Sequence, residues 1–191
     1  MSSIKLSFEI KFRGPFLVGG EAAGDGADVR VNQDILIPGS SIKGRMRAEA
    51  ANVLKLRKEV IDDVFGTADQ PGKWWFSHVD LKEESYSIRT SNRVALDPDN
   101  SDSGLADEHQ LVFYDQCWAE PASFTVEQLV SMEDSKLRRH MAILCAAARS
   151  VTNFGAMRRR GHGWVSIMPT SGEDSSDEEI IKILRESRTN D

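Results

Sequence analysis

An α+β fold is predicted by a strand with unbroken alternation at the start of the chain, two helical stripes, and the order in which strand-like runs separate them. Residues 4–13 carry the alternation: Ile4, Leu6, Phe8, Ile10 and Phe12 face one way, and Lys5, Ser7, Glu9, Lys11 and Arg13 the other. A period of two with one apolar side is the signature of a half-buried strand. The first helix is expected after Pro38-Gly39-Ser40-Ser41, with Ser40 or Ser41 as its cap and Ile42, Met46, Ala50, Val53 and Leu54 as its buried stripe. A second strand reads through Lys73 to Leu81, where Trp74, Phe76 and His78 alternate with Trp75, Ser77 and Val79. A third runs from about His109 to Trp118. The second helix begins after Ser135 and carries Leu137, Met141, Leu144, Cys145 and Ala148 on one face, and a last strand spans Trp164 to Met168. Strand, helix, strand, strand, helix, strand is the order of a ferredoxin-like (RRM-like) βαββαβ core with loop insertions, an antiparallel sheet covered by two helices. That fold hosts many unrelated functions and settles none of them.

The remaining segments read as insertions. Residues 14–33 contain Gly19, Gly20, Gly24 and Gly26 among polar residues, a composition that predicts a long loop without core residues. Residues 97–107 are a polar excursion, and Asn153 to Gly163 form a loop rich in glycine and arginine. The segment 171–191 is an acidic C-terminal tail in which a short helix is expected from Glu179 to Arg185. No repeat or linker divides residues 1–170, which read as a single domain.

Composition narrows the function classes. At 191 residues the chain is long enough to bury a sizeable core. No apolar run approaches the ~20 residues of a membrane helix, and the alternating N-terminus lacks the apolar centre of a signal peptide. Cys117 and Cys145 are in no metal-ligand spacing, so a reduced, cytoplasmic protein with no membrane partner is expected. The formal net charge of −6 argues against a surface coated in positive charge, but its distribution is uneven. Five of the acidic residues lie between Glu173 and Glu179, and without them the balance is −1. Two basic clusters stand apart: Lys43/Arg45/Arg47 and Arg158-Arg159-Arg160. Taken alone, either is the solvated face of an ordinary element. The first, however, follows a helix start whose N–H groups and positive dipole end favour an anion. Lys43 and Arg47, four apart, share one face, and Arg45 lies elsewhere on the helix.

Four ordered segments carry a family resemblance. Pro38-Gly39-Ser40-Ser41-Ile42-Lys43-Gly44-Arg45-Met46-Arg47 resembles the helix-start motif of the RAMP superfamily, the RNA-binding proteins of CRISPR systems. Phe65-Gly66 resembles the landmark that follows that helix. Asn92-Arg93-Val94-Ala95-Leu96-Asp97 looks like the middle motif of the repeated backbone subunit of type III complexes, and Gly155 to Gly163 resembles the C-terminal glycine-rich loop. The chain departs from the pattern in being short, and in reading Gly155-Ala156-Met157-Arg158 where a second glycine is more usual.

The resemblance implies a subunit that binds a guide RNA (crRNA) by its backbone. Its partners would be a single-stranded target RNA, other CRISPR effector subunits, and like subunits in a filament. Phosphate contacts would come from Ser40, Ser41, Lys43 and Arg47 at the helix start, and from Arg158, Arg159, Arg160 and His162 in the glycine-rich loop. In catalytic relatives an aspartate of the first long loop cuts target RNA with a divalent metal. The matching spacing, an aspartate six residues before another that leads into Pro-Gly-Ser-Ser, is met by Asp28 and Asp34, with Asp25 in reserve. Asp28 is thus the expected catalytic and metal-holding residue, the cofactor being Mg²⁺ or another divalent cation. One carboxylate suffices, since Mg²⁺ keeps most of its waters and takes one or two carboxylates plus substrate phosphate. An aspartate among glycines also serves ordinary turns. A non-catalytic guide-binding scaffold is the alternative, and a metal-independent guide-processing RNase of the same superfamily is a third reading.

Overall fold

The computed structural model describes residues 3–21, 29–94, 111–172 and 176–188. Strand β1 (Lys5–Phe12) forms where the alternation predicts, with Leu6, Phe8 and Ile10 fully buried. The next segment departs from a plain loop. Two short strands, β2 (Gly19–Glu21) and β3 (Arg30–Val31), pair antiparallel, and Phe16, Leu17 and Val31 are all buried. The expectation of a loop without core residues is corrected here: Phe16 stacks on Phe12 with ring centroids 4.7 Å apart.

Helix α1 (Gly39–Asn52) buries Ile42, Met46 and Ala50 as expected. Its cap differs. Pro38, not a serine, is the N-cap, and its carbonyl accepts from the N–H groups of Ser41 (3.0 Å) and Ile42 (3.3 Å). Gly39 is buried so tightly that a Cβ there would overlap the carbonyl oxygens of Phe76 and Ser77. Val53 ends the helix as its C-cap and is 55% exposed, so only Leu54 of the expected terminal pair is buried. A further helix, α2 (Lys58–Phe65), follows directly and buries Val60, Ile61, Val64 and Phe65.

Strand β4 (Trp74–Phe76) is shorter than the expected Lys73–Leu81 run, with Trp74 buried and Trp75 exposed. Strands β5 (Tyr86–Val94) and β6 (Leu111–Ala119) pair with each other as a separate two-stranded sheet. Strand β7 (Ala122–Gln128), helix α3 (Asp134–Ser150), strand β8 (Val165–Ser171) and helix α4 (Asp177–Ser187) complete the described residues.

Among these residues four strands form one antiparallel sheet in the order β4-β7-β1-β8. With α1 and α3 in the crossovers, this is the ferredoxin-like arrangement of an α+β fold. The third strand of its core is β7, however, and the run expected in that role is β6. The sequence of β7, Ala-Ser-Phe-Thr-Val-Glu-Gln, alternates as cleanly as β1 and buries Ala122, Phe124 and Val126. Helix α4 ties the chain's end to the body. Ile180 is buried, Arg188 Nε donates to the Leu54 carbonyl (3.1 Å), and Arg149 meets Asp177 at 3.3 Å. The open face of the sheet carries Lys5 paired with Glu127 (2.9 Å) and Lys11 with Glu9 (2.9 Å). Each of these cations thus has a carboxylate partner on the same face.

Candidate nucleic-acid interface

Helix α1 presents two exposed faces, and the glycine-rich loop meets one of them. Successive helical residues turn by about 100°, so Ser41, Arg45, Ala48 and Asn52 share a stripe, while Ser40, Lys43 and Arg47 share the next. The first stripe, with Gly44, forms one wall of a groove of about 460 Å³. Gly155 and Arg158 form the other wall, and Val18 and Phe154 also line it.

Local backbone chemistry holds the loop in place. Gly155 (φ +80°) and Gly163 (φ +74°) take left-handed conformations in which a Cβ would overlap the carbonyl oxygens of Leu17 and Phe154 respectively. The close approach lets Ala156 N–H donate to Leu17 O (2.7 Å) and Gly163 N–H donate to Pro15 O (2.7 Å). The buried Phe16-Leu17 segment is therefore the base on which the loop rests. Met157 also lies in the left-handed region (φ 56°), a conformation that costs a non-glycine residue about 1–2 kcal/mol. Immediately after it, Arg158–Arg160 make a single 3-10 turn.

The groove is electrostatically unbalanced. Arg45 forms an ion pair with the buried Glu49 one turn on, and its Nε–H is buried with no acceptor among the described residues. Burial pushes the Arg45 guanidinium down from its ordinary pKa. Glu49 opposes that shift, and the nearby positive Arg158 adds to it. Two guanidinium groups thus line one groove, and only Arg45 has a carboxylate partner there among the described contacts, an arrangement that an entering anion would relieve.

The expected phosphate-binding residues fall into two groups. Ser41 and Arg158 line the groove, and Arg160 is exposed on the same loop. The side chain of Arg159 lies outside the described residues. His162 sits half-buried at the back of the loop, its Nε2 3.1 Å from Gln116 Oε1 and its Nδ1 3.2 Å from the Arg160 carbonyl. Its ring meets Tyr114 edge-on, which ties the loop to β6. Ser40, Lys43 and Arg47 lie on the neighbouring face of α1. The Arg47 guanidinium bonds Asp62 Oδ1 (2.5 Å) and the Gly66 carbonyl, so α2 holds it. Lys43 reaches over Gly72. The residue that joins the two motifs is Arg45, which the sequence reading set aside. Its signal was present in the i, i+4 series Ser41, Arg45, Glu49, but only the folded loop shows which stripe it faces.

A second charged cluster occupies the flank formed by α2, β4 and α3. Asp63 on α2 bonds Lys73 and Lys136 (2.8 Å), and lies 3.8 Å from Arg139. Beneath it the fully buried His140 is sandwiched: Trp74 Nε1–H donates to Nδ1 (3.1 Å), so the ring proton is on Nε2 and is given to Asp63 Oδ2 (3.0 Å). Partial burial raises the Asp63 pKa, but hydrogen bonds from Lys136, Lys73 and His140 outweigh it and hold the carboxyl well below its usual range. Burial pushes the His140 pKa down, against the pull of Asp63.

Both depressions act in the same direction on stability. A group whose folded pKa is lowered adds stability that is present above its unfolded pKa and lost as pH falls through the folded one. For His140 that loss begins below about pH 6.5, and for Asp63 only below about pH 3.9. Between pH 7 and pH 5 the wild-type melting temperature should therefore fall. His140→Gln should melt lower at pH 7 yet show a flatter profile over that window, and an unchanged slope in the variant would rule His140 out as the cause.

Burial raises the Cys117 thiol to about 12, and Cys145 is also buried, so neither is poised as a thiolate nucleophile. Among the described residues no group of three or more His, Cys, Asp or Glu could hold a metal ion. Asp25 and Asp28 lie outside the described residues, as do residues 95–110. The residue after Asp28, Val29, is anchored to β6 by Val29 N–H to Phe113 O (3.3 Å) and Asp115 N–H to Val29 O (2.9 Å). Asp34 is exposed, its N–H bonded to Asn32 Oδ1 (2.9 Å). No helix among the described residues is long and apolar enough to cross a membrane.

No curated protein matches the chain. Among solved structures, a chain of the type III-B Cmr-beta complex in its apo state superposes with a TM-score of 0.66 at 12% identity, covering 88% of this chain and 98% of that one. A chain of type III-B Cmr-beta bound to cognate target RNA superposes with a TM-score of 0.59 at 15% identity, covering 90% of this chain and 62% of that one. At such identities the likeness establishes the fold. A family model decides the lineage: it matches residues 9–166, from β1 into β8 and through both motifs that wall the groove, and the chain belongs to the RAMP superfamily.

Proposed function

We propose that this chain is a guide-RNA-binding subunit of a type III CRISPR effector complex, and that it cleaves the target RNA paired to that guide. The observation that carries the binding half is the groove lined by both Arg45 and Arg158, of which Arg45 is paired with the buried Glu49. Its walls offer guanidinium donors, a serine hydroxyl, the Asn52 amide and small residues, a set able to grip phosphate oxygens without selecting a base. That is the chemistry of backbone recognition, with sequence left to pairing between guide and target. Similarity to chains of type III-B Cmr-beta, one of them bound to cognate target RNA, supports the same reading. Other effector subunits and further copies along the guide are the partners it implies.

For cleavage, Asp28 is the residue we assign, with Asp25 as the neighbour to test beside it. A lone carboxylate suits a hydrated Mg²⁺ or similar divalent cation, which when bound would stabilise negative charge developing on the scissile phosphate. The attacking group would be the target's own 2′-OH, forming a bond to phosphorus as the 5′-oxygen leaves.

The purified native assembly should carry RNA. Arg158→Glu should reduce the RNA it retains at about 0.15 M salt by at least about tenfold, since it replaces an attraction for phosphate by a repulsion. An assembly that retains no RNA in its wild-type form would refute the binding half outright.

A further inference from the structure

The α2–α3 flank carries a cationic cluster that the groove does not use. Asp63 draws Lys73, Lys136 and Arg139 onto one carboxylate, so that within this cluster of described residues three cations share one anion, in a chain whose formal net charge is −6. Each cation keeps donors to spare. An ammonium has three N–H groups and a guanidinium five, and Asp63 occupies only a few of them. Arg139 Nε is buried with no acceptor among the described residues, so this guanidinium is not fully satisfied within the chain.

The cluster is also built from beneath. His140, wholly buried, passes a hydrogen bond from Trp74 to Asp63 and so fixes the carboxylate around which the cations gather. Long basic side chains normally lose rotamer freedom when they bind, and holding them in advance lowers that cost. A clamp meant only to join α2 to α3 would need one cation, not three.

We propose that Lys73, Lys136 and Arg139, positioned by Asp63 over the buried His140, form a second phosphate-binding site for the backbone of an RNA strand, separate from the Arg45–Arg158 groove. Lys43 of α1 brings its ammonium against Gly72, the residue before Lys73, and so adds a further cation toward the side of α1. The inference rests on the RNA-binding reading above. Its ligand is a phosphodiester backbone, supplied by either the guide or the target strand.

The test is Lys136→Ala with Arg139→Ala in the assembled complex. Both side chains are at least a third exposed, so the fold should survive. Two quantities are read: the guide RNA retained on purification, and the affinity of the guide-loaded complex for a matched target RNA at several KCl concentrations. One of them should fall about tenfold, and the logarithmic salt slope should drop by about 1.4, or ~0.7 per lost contact to a single strand. A loss in the first assigns the site to the guide, and a loss in the second to the target. Arg158→Glu run in parallel separates the two claims. If it weakens RNA binding while the flank pair stays within twofold of wild type, this inference fails and the groove stands. If neither variant matters, the RNA-binding reading itself fails. The exposed Leu129 and Val130 adjoin Lys73, so a variant that loses only co-purifying protein subunits would mark the flank as a protein contact and overturn the proposal. Should the alanine pair melt early, Lys136→Gln with Arg139→Gln carries the same expectation.

Discussion

Replacing Asp28 with alanine should slow cleavage of a guide-matched RNA by at least about a hundredfold while leaving guide loading unchanged. A group that stabilises charge arising in the transition state commonly contributes about 10²–10³ in rate, and its loss does not disturb contacts made in the ground state. The measurement is single-turnover cutting by the assembled complex, with Mg²⁺ and again after chelation. Asp25→Ala serves as the comparison, because both aspartates stand in the same glycine-rich stretch. Cleavage that is lost with Asp25 and kept with Asp28 would move the assignment by three residues. Metal-dependent cleavage that survives both substitutions would leave the subunit as a scaffold.

Arg45→Met should be the most damaging single change in the groove, because it acts on stability and binding together. Glu49 is only 4% exposed, and removing its partner strands a buried carboxylate at a cost of about 3–5 kcal/mol. Urea denaturation should show that loss as a lowered midpoint at constant slope. The double variant Arg45→Met/Glu49→Met removes both charges and should recover most of the stability, since buried pairs are commonly replaceable by apolar residues of similar size. It should not recover RNA retention, because the guanidinium is gone. A double variant that regains RNA binding would show that Arg45 only supports the helix, and that Arg158 and its neighbours hold the strand unaided.

How much of this was legible in advance depended on how local each signal was. Strand β1 declared itself because its neighbours on either side matter less than its own alternation, and the same holds for the stripe of α1. The helix-start and glycine-rich segments were recognisable as motifs because their glycines answer to backbone constraints, such as the overlap that a Cβ at Gly39 or Gly163 would cause. Strand β6 misled for the opposite reason. Its sequence is compatible with a core strand, and only its pairing with β5 across a long connection removes it from the sheet. Phe16 and Leu17 were hidden by the glycines around them, although they form the base of the loop.

The sequence by itself determined the βαββαβ order, the two basic motifs and the family they resemble, because periodicity and glycine placement are properties of short segments. Tertiary structure alone decided which arginine faces which wall. Arg47 is drawn away by Asp62 and Gly66, Arg45 is turned toward Arg158, and Asp63 collects cations from α3 and from the residue before β4. Such choices are made by partners distant in the chain, and no local pattern records the direction in which a long charged side chain will find its counter-charge.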